Sequence, residues 1–387
     1  GSNLHRKSWY TKLERMLQLF SLFTIFILCQ DSIFDISIAS IDVHESENSS
    51  SWLVSYNNIN ESFISLNKDE TLIICGETSK NTVYVHGNGN HNSSELNIML
   101  DKFTIGDNNS SKNLKFPFYF EDLHSANIFI LLNSSITIST QTSAFYISTN
   151  CRNCSLSIEG VKSDNAINIF ATDSSSDTFI INSFSHIYLR NLQLLSYTLN
   201  DHREVKKFAS TEHSNIFYGI IGETVLIEDC KLIIESQLIS IGGDRSSCVQ
   251  IISSSVDVHS DGSTCIGSTS SEPLDVEIFN STINVLSKKD GGSIGNRQVD
   301  SGHLSIEKSR ITGQSSGSQF STIGFFKQID IEDSSVSVYS IRGLCAIGGS
   351  AVYSLESEVE INIKNSYVKG YSSGQAASIG CTEQMTA

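Results

Sequence analysis

The sequence predicts an all-β fold: a right-handed parallel β-helix with three sides and about 20 to 32 residues per coil. Three observations predict it. A twelve-residue pattern recurs six times without gaps, every copy slips parity at the same place, and an Ile-Gly dipeptide recurs between copies.

The six copies are 225–236, 249–260, 276–287, 304–315, 329–340 and 361–372, and they read apolar-x-Ile-x-x-Ser-x-apolar-x-apolar-x-Ser. The third position is Ile227, Ile251, Ile278, Ile306, Ile331 and Ile363, an identity that vertical stacking of like side chains requires. These six are expected to form one buried ladder. Period-two alternation on both sides of the slip marks two strands. Two residues between Ile and Ser, instead of one, would turn every later side chain outward in a continuous strand. The slip is therefore read as a corner, at Glu228-Asp229, Phe279-Asn280, Glu307-Lys308, Glu332-Asp333 and Lys364-Asn365. Just past it, Cys230, Ser254, Ser281, Ser309, Ser334 and Ser366 are expected to point inward with their polar hydrogens bonded to backbone or to one another.

Ile-Gly recurs at 221, 241, 266, 294, 323, 347 and 379, which supplies the third side of each coil. Glycine there allows close backbone approach. The rival architecture, an antiparallel barrel or propeller, would place tight turns such as Asp261-Gly262 and Asp290-Gly291 at the invariant corner. They fall in connections of variable length instead. Phe325-Phe326 read as core packing.

Composition sets the compartment and the partners. The 387 residues include 68 Ser and 22 Thr, with 39% hydrophobic residues and a formal charge of −16. Residues 1–40 carry four Lys/Arg and three acids, so the rest holds −17, which disfavours nucleic acid and anionic lipid surfaces. Basic residues precede the apolar run Met16 to Cys29, read as a signal peptide or N-terminal anchor region over 1–40. The expected organisation is then one β-helix domain over 41–387, with an N-terminal cap at 41–68 and Ile-Gly repeat coils over 221–380. The break after Gly380, inside a repeat, reads as truncation. A secreted or cell-surface location follows, and eight further cysteines (75, 151, 154, 230, 248, 265, 345 and 381) suggest disulfides there. Eight N-x-S/T sequons, Asn280 among them, permit glycosylation and are about as many as chance supplies.

The stretch 69–140 resembles the opening of the clostridial cellulose- and pectate-binding β-helix family, whose fold is that of the pectate-lyase superfamily. The matching pieces are Glu70 to Gly76, Thr82 to Val85, Leu96 to Asp101, Thr104-Ile105, Pro117 to Phe120 and Ile128 to Leu132. The later Ile-Gly-Gly coils are similar to those of relatives, so the likeness spans roughly 69–380. It implies a non-catalytic domain binding acidic polysaccharide with Ca²⁺. No compact motif carries calcium ligands onto particular residues of this chain.

A polysaccharide lyase needs a base beside an acidified carbon acid, and Arg245, Arg297, Arg310 and Arg342 have no recurring acidic partner. Glu228-Asp229 and Glu332-Asp333 lie four repeats apart, about 19 Å at the strand spacing, too far for paired carboxylates. Cys151-x-x-Cys154 lacks a zinc partner, and His86 to His91 reads as a surface loop. Binding asks for less. Tyr339 and Tyr371 fill one outward column in consecutive copies, an aromatic shelf suited to sugar rings. The expected function is therefore non-catalytic binding of polysaccharide or a cell-surface glycan, with no certain cofactor and Ca²⁺ as the cation that clustered acids would take. The alternatives are a structural adhesin or coat protein, and a pectate-lyase-like enzyme.

Overall fold

The computed structural model describes residues 32–380, apart from internal stretches of which 107–115, 200–216 and 350–358 are the longest. Among the described residues every regular element is a strand, and the strands form a parallel β-solenoid. Among the described residues only the pairings of Ile41–Glu45 with Trp52–Tyr56, and of Trp52–Tyr56 with Ile64–Leu66, are antiparallel.

The strands stack in three columns. The first carries the apolar-x-Ile strands, from Cys248–Ile252 through Asp275–Phe279, His303–Glu307 and Gln328–Glu332 to Glu360–Lys364. Its Ile ladder is in register at every step, and all members but one are buried: Ile227, Ile251, Ile278, Ile306 and Ile331 are at most 1% exposed. Ile363 departs from the expectation, being 45% exposed, because it lies on the last described rung and no described coil covers it. The ladder also runs upstream, through Leu189, Ile158 and Ile130 to Ile98, where no consensus repeat is visible. Burying each such side chain stabilises the stack by about 1.5–3 kcal/mol before entropy is counted.

The corner forms as the parity argument requires. Its second residue adopts the left-handed conformation at Asn191, Asp229, Ser253, Asn280, Lys308, Asp333 and Asn365, with φ between 48° and 53°. This breaks the strand and resets which side chains face inward. The second column follows with Lys231–Ser236, Ser255–Ser260, Thr282–Ser287, Arg310–Ser315, Ser335–Ser340 and Tyr367–Ser372. Cys230 and Ser254, Ser281, Ser309 and Ser334 point inward at its start, all buried, while Ser366 is half-buried.

The third column stacks Ile220, Ile241, Ile266, Ile294, Ile323 and Ile347. The unit at 221 is one residue out of the expected register: Ile220 pairs with Ile241, and Ile221 pairs with Gly242. Glycine is required in this column, since a Cβ on Gly267 (φ 156°) would stand 1.9 Å from the Gly295 carbonyl oxygen. Phe325 and Phe326 are buried.

Two other expectations change. Ser32–Asp35 pairs with Leu72 to Cys75, so the coil stack begins inside the stretch assigned to targeting, whose apolar run lies outside the described residues. Cys75, Cys230, Cys248, Cys265 and Cys345 form no disulfide, whereas Cys154 is disulfide-bonded, so the expectation holds for only part of the set. Burial pushes the Cys230 and Cys265 thiols up to about 12, which leaves them protonated and unreactive. Among the described residues no helix is long and apolar enough to cross a membrane.

Candidate functional site

The outward side of the second column follows from the same alternation that builds the core. Between the inward residues of each strand, three positions face solvent. The last of them reads Glu235, His259, Leu286, Gln314, Tyr339 and Tyr371 down six consecutive rungs. The middle one reads Asp257, Asn284, Thr312, Ser337 and Lys369.

These two columns border an open groove of ≈ 410 Å³, with Tyr339, Tyr371, Gln314, Asn284 and His259 among its walls and the backbone of Gly313 in its floor. Gly313 stands where neighbouring rungs place Val285 and Val338. A Cβ there would come 3.0 and 3.1 Å from their methyl groups, so the two valines already occupy its share of the core.

Side chains in the groove are organised by one another. Asn284 donates to Asp257 at 2.8 Å, and Thr312 donates to Asn284 at 3.0 Å, a polar ladder across three coils. The His259 imidazole lies 3.2 Å from the Asp257 carboxylate. Such ladders hold amide and hydroxyl groups at the strand spacing of about 4.8 Å.

Tyr339 and Tyr371 are neighbours and exposed. Their rings are parallel within 1° and 4.7 Å apart, one coil spacing. Each ring therefore covers a face of the other, and what the pair offers the groove is chiefly edges and hydroxyls. A flat shelf of outward ring faces, as expected from sequence, is not what forms. The groove also takes in His259, Asn284, Thr312, Gln314 and Lys369, with Asp257 bonded to Asn284, and none of these six was among the residues expected to bind. All six occupy outward positions of the aligned repeat, but their residue types change from coil to coil, so the pattern does not single them out.

The first column has a different outer surface. Asp275, Glu277, Glu307, Asp330, Glu332 and Glu360 all sit on its strands at positions turned away from the core. Burial tends to raise the Asp330 carboxyl, but hydrogen bonds from Asn362, His303 and Gln328 outweigh it and hold the group below its usual range. Among the described residues no group of three or more His, Cys, Asp or Glu is arranged to hold a metal ion. Arg310 stands exposed on the second column, and Arg297 and His91 lie outside the described residues. His86 belongs to a strand and not to a loop.

No family model, curated protein or solved structure matches the chain. The parallel β-solenoid itself is consistent with the wider parallel β-helix superfamily.

Proposed function

We propose that this chain is a non-catalytic carbohydrate-binding solenoid, secreted or displayed at a cell surface, whose groove takes a neutral polysaccharide strand. The observation that carries the reading is the groove itself, where a tyrosine pair sits at one end of a ladder of amide and hydroxyl side chains on a rigid sheet. Sugars present hydroxyls at regular intervals, which the amide, hydroxyl and phenol groups of this wall would meet, and apolar C–H patches, which Leu286 and the tyrosine ring edges would meet. Charge argues for a neutral ligand over a polyuronate. The groove's walls are mostly uncharged, the adjacent face is acidic, and the whole chain carries −16. The resemblance to the clostridial cellulose- and pectate-binding family agrees with the ligand class and, on this charge argument, points to its cellulose-like member.

The test is affinity electrophoresis through gels containing soluble cellulose fragments or polygalacturonate, with and without Ca²⁺. Wild type should be retarded by the cellulose fragments, and the Tyr339→Ala/Tyr371→Ala variant roughly tenfold more weakly, at 0.5–1.5 kcal/mol per ring. Absence of retardation in every gel removes the reading and leaves the adhesin alternative. Retardation by polygalacturonate alone overturns the choice of a neutral ligand.

A further inference from the structure

The third column carries a second cluster of side chains that the groove does not use. Tyr84, Tyr119 and Tyr146 occupy one outward position in three consecutive coils, in register. Above and below them the same position holds Asp42 and Asn182, so the aromatic run is confined to these coils. Phe116 joins it, 5.5 Å from Tyr119 and 4.4 Å from Tyr146. All four rings are half-buried.

Ring orientation separates this cluster from the Tyr339–Tyr371 pair. Tyr119 and Tyr146 lie nearly parallel at 21°, but Tyr84 meets Tyr119 at 66°. The plane of Tyr84 continues instead into His86 (19°), which stacks on His44 at 4.6 Å and 10°. Two sets of rings therefore meet at a steep angle, Tyr84 and Tyr119 in an edge-type contact at the corner between them.

Polar groups flank the same junction. The His86 Nδ1 lies 2.6 Å from the Glu121 carboxylate, and burial first, then the same carboxylate, raises the pKa of the Tyr119 phenol beside it. With Nδ1–H donating to Glu121, the other ring nitrogen of His86 is an acceptor. One carboxylate thus orients an imidazole acceptor next to a phenol at an aromatic corner.

We infer that this strip, built on Tyr84, Tyr119, Tyr146, His86 and Glu121, is a second saccharide site that binds a glycan strand separately from the groove. It adopts the ligand class proposed above, though not the groove as its place. The two sites lie on different columns, and Tyr146 precedes Tyr339 by seven coils, about 34 Å at the strand spacing. One chain would therefore hold two strands, or two distant points of one strand, and gain avidity from the pair.

The experiment is calorimetric titration of the full chain with cellohexaose, counting sites. Wild type should bind two per chain. Tyr84→Ala/Tyr119→Ala and Tyr339→Ala/Tyr371→Ala should each bind one, and the combined variant none. His86→Ala, a smaller change at the strip, should lose the same site as Tyr84→Ala/Tyr119→Ala while circular dichroism stays that of wild type. A single wild-type site that disappears with Tyr339→Ala/Tyr371→Ala overturns the strip and leaves the groove. A single site lost with Tyr84→Ala/Tyr119→Ala does the reverse. No heat from wild type overturns both.

Discussion

The serine just past each corner answers a backbone problem that the corner creates. Where the chain turns, one buried N–H per coil leaves the strand ladder. Its partner is the hydroxyl one coil on: the N–H groups of Cys230, Ser254, Ser281, Ser309 and Ser334 donate at 3.0 Å to the Oγ of the next serine, ending at Ser366. Each hydroxyl then donates to the carbonyl two residues back, as Ser281 does to Phe279 at 2.8 Å. The inward direction of this column was legible from the parity slip; its partner was not, because hydrogen bonds between coils depend on the register between repeats. Ser281→Ala strips the Ser254 N–H of its acceptor and should cost about 1–3 kcal/mol in urea unfolding, the penalty for an unmet buried donor. Ser366→Ala should cost clearly less, since water reaches that half-buried rung. Histidine gives the residue scale a pH dependence. Burial first, then the neighbouring His86, lowers the pKa of His44, while Asp42 and Glu121 oppose the shift. Between the lowered value and the unfolded value near 6.5, the unfolded chain binds more protons. Stability is therefore fully present above pH 6.5 and falls as pH drops towards the folded value. Amide exchange in Ile41–Glu45 should quicken between pH 7.5 and 5.5, after correction for intrinsic rates, and should do so less in His44→Asn.

At the scale of the element, the corner explains a residue preference that composition alone leaves obscure. Left-handed φ costs an ordinary L-residue roughly 1–2 kcal/mol, and Asn or Asp less. Four of the six consensus corners, and the upstream corner at Asn191, accordingly carry Asn or Asp at that point, with Ser253 and Lys308 as the others. Lys308 compensates in part by lying 5.0 Å over the Phe279 ring and pairing with Glu307. Lys308→Asn should leave stability within about 0.5 kcal/mol. A β-branched residue is the worst occupant of this conformation, so Lys308→Val should lower it by about 1–2 kcal/mol. Equal denaturation midpoints for the two variants would refute the corner as the source of the preference. The misplaced Ile-Gly unit has a cause at the same scale. Phe217–Glu228 is one strand that serves the third column and then the first, with no loop between to mark the register. Of two adjacent isoleucines, 220 and 221, only the second is followed by Gly, so the dipeptide pointed to 221, whereas packing against Ile241 selected 220.

For the whole molecule, what matters is that each coil touches mainly its two neighbours. One hydrophobic cluster runs without a break from Phe34 to Ile347, yet it is assembled from rungs of like composition. The architecture was legible in the repeats because stacking selects the same residue at the same position every time. The candidate site was legible only at Tyr339 and Tyr371, where two aromatics happened to align. The remaining groove residues differ from coil to coil, and no repetition announces them. Solenoid energetics also decide how damage spreads, since stability is close to a sum of repeat and nearest-neighbour terms. Ile278 is fully buried between Ile251 and Ile306. Ile278→Asp places an unpaired carboxylate there, among the mutational mechanisms that exceed about 4 kcal/mol. The loss should be regional. Amide protection is expected to collapse over the coils from 249 to 315 and to persist in Ser94–Ile105 and Ala126–Leu132, which lie several coils away. Ile363→Asp is the matched control, because the same column position is 45% exposed there and the new charge keeps its water. If Ile363→Asp is as damaging as Ile278→Asp, the open rung is covered in solution. If Ile278→Asp abolishes protection in every coil at once, the stack unfolds as a single cooperative unit and the nearest-neighbour description fails.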